Sequence, residues 1–103
     1  MEQVLYLLAG MFTFNSLPHL ISGVIGNKHM TPLAKDSSAV VNVVWGFINL
    51  AFGVYLLSLA SGSLGLIPPE AGLISYLVGG LILSLVAASM FSNPNAKMPW
   101  WKS

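Results

Sequence analysis

The chain has 103 residues, 55% hydrophobic and 7% charged, with a formal net charge of +1. A soluble domain usually carries about 25% charged residues, so a soluble surface is excluded. Four lysines without an arginine also exclude an extended basic face for nucleic acid, and the lack of cysteine excludes disulfides, thiolate metal centres and cysteine nucleophiles.

The chain opens Met1-Glu2-Gln3, without the basic region of a secretory signal, and the apolar run behind it is too long for a signal core. The first segment is therefore expected to remain in the mature protein. A hydrocarbon core of about 30 Å takes roughly 20 helical residues, and three long apolar stretches reach that length, at about 3–25, about 38–60 and about 70–91. The expected fold is all-α: a single membrane domain of three spans running up-down-up, followed by an interfacial tail over 92–103.

The first span ends at Gly26-Asn27, a pairing that favours a left-handed helix stop. Within it, Asn15 and His19 are one turn apart on one face. Pro18 should kink the helix near Phe14 to Leu17 and free a backbone carbonyl that Asn15, Ser16 or a water must satisfy. His19 is the one ionisable residue inside the three stretches. Such a residue is a functional candidate, as a proton relay or as a metal or haem ligand. The simpler reading is a neutral, hydrogen-bonded contact between helices. His29, in the connection that follows, is expected to face solvent or headgroups, with a second-ligand role beside His19 as the alternative.

The second span has Asp36, Ser37 and Ser38 as N-cap candidates and Ser61-Gly62 as its stop. Ala39, Asn42, Gly46, Asn49 and Gly53 recur at three- and four-residue spacing and share one small, polar face. In lipid such a face first suggests close helix packing with amide hydrogen bonds. The alternative is a polar cavity lined by Asn15, His19, Asn42, Trp45 and Asn49. The indole N–H of Trp45, mid-stripe, needs an acceptor or a ligand.

The third span begins after Pro68-Pro69-Glu70 and ends before Asn93-Pro94. Gly80, Ser84 and Ala88 lie four apart, the pattern of a helix-association face, with Gly72 and Tyr76 along one edge. Trp100 and Trp101, beside Lys102, suggest an interfacial anchor. Lys28 and Lys35 in the first connection and Lys97 and Lys102 in the tail fall on one side of a three-span bundle. The positive-inside rule makes that side cytoplasmic and the N-terminus external.

The run Asn15-Ser16-Leu17-Pro18-His19, then Gly23, Gly26, Thr31-Pro32, Ser38 through Val41-Asn42, Trp45-Gly46 and Asn49 resembles short uncharacterised bacterial three-helix integral membrane proteins. The likeness covers the first half of the chain, implies an inner-membrane location and carries over no activity. Small multidrug transporters are similar in size but have four spans and an acid within the first, where this chain has none.

No hydrolase, phosphate-binding or metal-site spacing occurs. The expectation is a membrane protein without enzymatic activity, cofactor or metal, acting as a self-associating or complex-associated subunit in lipid. Its packing would use Gly46, Gly53, Gly80, Ser84 and Ala88. A small transporter, channel or small-molecule-binding protein is the alternative.

Overall fold

The computed structural model describes residues 1–101 and is all-helical, with α1 (Glu2–Val24), α2 (Ala39–Ser61) and α3 (Glu70–Phe91). Lys102, invoked above for the anchor and the charge asymmetry, lies outside the described residues. Each helix is long and apolar enough to cross a membrane, and the molecule extends 43 Å along its principal axis.

Local chemistry sets the helix ends within a residue of expectation. The N–H of Gly26, at φ 83°, donates to Gly23 O (3.0 Å) and that of Asn27 to Ser22 O (2.8 Å), which closes α1 with a Schellman turn. Of the three N-cap candidates for α2, Ser38 serves, accepting from the N–H of Val41 at 3.2 Å. Gly62, at φ 78°, ends that helix, and Glu70 lies in the first turn of α3 at its positive end.

Helix α1 runs unbroken through Pro18. The expected partners of the freed carbonyl act elsewhere: the Ser16 hydroxyl donates to Thr13 O at 2.5 Å, and Asn15 turns toward α2. Stability of the span comes from packing on both sides, since α1 contacts α2 and α3 extensively. The up-down-up chain is thus built around its first helix.

The interior is inverted relative to a soluble core. Ser16, His19, Asn42 and Asn49 are buried, while Val40, Phe47, Tyr55, Ile74 and Leu85 are exposed. Lipid solvates apolar side chains as well as a protein interior does, so small and polar groups turn inward, where backbones approach and hydrogen bonds form.

Against α3, the approach is backbone to backbone. A Cβ added at Gly10 would fall within the Tyr76 carbonyl, and one at Gly79 within the Leu7 carbonyl. Gly72 faces the Tyr6 ring and Gly80 the Phe14 ring. Gly10 and Gly79 did not stand out from spacing, yet they are the tightest points of this interface. Ser84 and Ala88, expected with Gly80 on a helix-association face, are exposed.

Against α2, Gly46 meets Leu20 and Gly53 meets Thr13. The polar stripe of α2 is therefore used within the chain. The helix it packs against, as the first reading of the stripe had it, is α1.

Candidate ligand-binding site

The stripe of α2 and the Asn15/His19 face of α1 meet in two hydrogen-bonded tiers. In the upper tier Asn42, fully buried, donates through Nδ2 to the carbonyls of His29 (2.9 Å), Ser37 (3.1 Å) and Ser38 (3.0 Å). Three carbonyls on one side fix which end of the amide is nitrogen. Its Oδ1 therefore faces His19 Nδ1, at 2.8 Å.

An amide oxygen only accepts, so His19 Nδ1 carries the proton. In the neutral ring Nε2 is then a bare acceptor. His19 is 2% exposed. It is the interhelical contact that its lone position suggested, and it is held in one tautomer as well.

The lower tier repeats the device. Asn49 Nδ2 donates to Trp45 O at 2.9 Å, which turns Asn49 Oδ1 toward Asn15 Nδ2, also at 2.9 Å. Asn42 and Asn49 lie behind the cavity and hold the residues that line it. This corrects their expected placement on its wall: backbone carbonyls take up their amide protons.

In front of the tiers lies a cavity of about 190 Å³ between α1, α2, α3, the first connection and the tail. Asn15, His19 and Trp45 bring polar atoms to it. Leu83, Val86, Ala87, Met90 and Phe91 line it from α3, Met30, Thr31 and Pro32 from the connection, and Met98 from the tail. Among the described residues, no charged side chain lines it. The indole N–H of Trp45 is buried and has no hydrogen-bond partner among the described residues. Thr13 Oγ1 and His29 Nε2 are likewise buried without a partner among the described residues.

The connection forms a hairpin-like cap over this end of the bundle. His29 N–H donates to Ser37 O (3.1 Å) and Thr31 N–H to Ala34 O (2.9 Å). Ser37 Oγ gives its proton to Ala34 O at 3.0 Å, so in the 2.7 Å contact between the two hydroxyls Thr31 is the donor. Thr31 Oγ in turn accepts from Leu33 N–H at 3.1 Å.

The tail is strapped across this cap. The indole N–H groups of Trp100 and Trp101 both donate to Pro32 O, the latter at 3.1 Å, and Lys35 Nζ donates to Pro94 O. The two tryptophans, expected as interfacial anchors, hold the tail to the cap, and Trp100 remains exposed.

His29 is half-buried, not solvated as expected. Its ring centroid is 5.3 Å from that of His19 and 4.2 Å from that of Phe91. Burial, and then the nearby imidazole of His19, hold its pKa below the ordinary 6.5. Among the described residues, no three His, Asp or Glu side chains are gathered as a metal site.

The five cavity candidates thus form two hydrogen-bonded groups, His19 with Asn42 and Asn15 with Asn49 and Trp45, three of the residues at the surface of the cavity and two behind it. Spacing did not reveal the contributions of Met30, Met90, Phe91 and Met98. The one available signal was that Thr31-Pro32 and His29 stand near the same end of the bundle as His19.

No family model, curated protein or solved structure matches this chain.

Proposed function

We propose that this small multi-pass membrane protein binds an uncharged small molecule in the cavity before His19, Asn15 and Trp45, and that it acts by binding without catalysis. The observation that carries the reading is a cavity of about 190 Å³, lined mostly by apolar side chains, to which Asn15, Trp45 and a tautomer-fixed His19 also contribute. A few polar side chains in a mostly apolar pocket are the usual mark of a ligand site. The shared end of the first connection and the tail, with Lys28, Lys35 and Lys97, is assigned to the cytoplasm on the positive-inside rule, which puts the N-terminus outside.

Native mass spectrometry of protein extracted gently from its membranes tests the binding role. The expected spectrum shows a stoichiometric small molecule that is absent from Ala87→Phe, a substitution that fills the cavity from α3 and leaves both amide tiers intact. A wild-type protein that retains nothing, or an adduct retained equally by Ala87→Phe, would remove the cavity as the functional site.

Self-association is the second reading, favoured by the exposure of Ser84 and Ala88 at four-residue spacing on α3. Copy number in the same spectrum decides it.

A further inference from the structure

Resting on the cavity reading above, we propose that the ligand is a small lipophile dissolved in the bilayer, and that it enters sideways, between α2 and α3 past Val86, not through the cap.

The arrangement of the helices leaves that side open. Helix α1 packs against both of its neighbours, whereas α2 and α3 scarcely touch each other. The cavity lies between these two, with Asn15 and His19 of α1 as its floor and Trp45 of α2 and Leu83, Val86 and Met90 of α3 as walls. Of the described residues that line it, Val86 alone is exposed, at 51%, while Met30 and Thr31 of the cap are buried. A side chain that is both cavity wall and outer surface marks the mouth.

That mouth faces lipid. Val86 stands five residues inside the end of α3, about 7.5 Å along a helix that rises about 1.5 Å per residue, and its exposed neighbours Ile82 and Leu85 are apolar. The cap end is shut by comparison. The indole N–H groups of Trp100 and Trp101 hold the tail to Pro32 O, Lys35 Nζ donates to Pro94 O, and Met98 of the tail lies against the cavity. A solute from water would have to part that strap, whereas a molecule already in the lipid meets an open side.

The walls select the same class. Among the described residues no charged side chain lines the cavity, and the floor is engaged behind: Asn15 Nδ2 donates to Asn49 and His19 Nδ1 to Asn42. Most of the remaining surface is apolar and includes three methionines, whose unbranched thioether chains adapt to varied shapes. A cavity of about 150 Å³ lined by apolar side chains takes up benzene, so one of about 190 Å³ holds a single ring with a small substituent. Binding is packing, with no bond made or broken.

The test uses the full chain in lipid nanodiscs with ¹³C-labelled methionine methyl groups. Met30, Met90 and Met98 report on the cavity, and Met1 and Met11, which do not line it, are the controls. Two uncharged six-membered rings are titrated: toluene, which collects in the lipid, and 1,4-dioxane, which stays largely in water. Toluene should shift the three cavity methyls saturably and the controls without saturation, and dioxane should give no saturable shift. Exchange broadening then reads the rate of entry. Val86→Phe, which adds bulk at the mouth, should slow entry several-fold, and Trp100→Phe with Trp101→Phe, which removes both indole donors from the strap, should leave it unchanged.

If Val86→Phe does not fold, Val86→Ala reads the same mouth with the opposite sign, as faster entry. Saturable shifts by dioxane, alone or as strong as those of toluene, would overturn the lipophile and leave the cavity reading standing. Toluene exchange that ignores the Val86 substitutions, or that quickens when the two indoles are removed, would overturn the sideways entry. No saturable shift by either probe would overturn the cavity reading as well.

Discussion

The two faces of α1 are held by different physics. Toward α3 it presents Gly10 to the Tyr76 backbone and receives Gly79 against its own Leu7, so that contact is one of shape, made by absent side chains. Toward α2 it presents Asn15 and His19 to Asn49 and Asn42, a contact of directed hydrogen bonds. Shape allows backbones to approach closely but tolerates sliding, whereas amide ladders set register and orientation atom by atom. The face whose side chains must point correctly is the one that carries the cavity's polar atoms.

The largest effect should come from filling the shape contact. Gly79→Ala sets a methyl against the Leu7 carbonyl, which cannot yield as a flexible side chain does. A loss of about 3 kcal/mol is expected, at the upper end for overpacking. Reversible unfolding in mixed micelles reads it, and a variant as stable as the parent would show that α1 and α3 are not in close contact.

The polar face should answer unequally. Asn42→Ala removes the acceptor of His19 and the amide donor to three backbone carbonyls, of which those of Ser37 and Ser38 keep a backbone N–H and that of His29 does not, for about 2 kcal/mol. It also frees the histidine tautomer, visible as mixed imidazole ¹⁵N shifts. Asn49→Ala breaks one side-chain pair and one carbonyl bond in a single helix, and should cost about 1 kcal/mol without changing the His19 tautomer. Equal costs, or a His19 tautomer unmoved by Asn42→Ala, would dissolve the distinction between the two tiers.

The same contrast explains what the sequence made legible. Three spans and their ends could be read because lipid imposes a length and because Ser38, Gly26 and Gly62 do local work that depends on near neighbours. The shared faces of Asn15 with His19 and of Asn42 with Asn49 followed from helical spacing. Spacing says which residues share a face and not what that face meets, so the pairing of the two stripes, and the retreat of Asn42 and Asn49 behind the cavity, required the tertiary structure. Gly10 and Gly79 escaped notice because a contact made by the lack of a side chain has no chemical mark. Met30, Thr31 and Met98 escaped because the connection and tail have no periodicity from which their path can be drawn.

The smallest effect concerns the cap, where the polar face reaches water. His29 lies outside the helices, half-buried against His19 and Phe91, and its pKa is held below 6.5 first by burial and then by the His19 imidazole. A histidine whose folded pKa is depressed binds its proton more readily when the cap is open. Closure is therefore fully favoured above the ordinary value and weakens as pH falls through 6.5 toward the folded value. Amide hydrogen exchange, corrected for its intrinsic pH dependence, should show protection of His29 and Thr31 N–H declining below that point while protection in the middle of α2 stays constant. His29→Gln, uncharged throughout, should flatten the response. An undiminished response in His29→Gln would assign the proton to another group, and a decline shared equally by α2 would mean that the cap and the bundle open together.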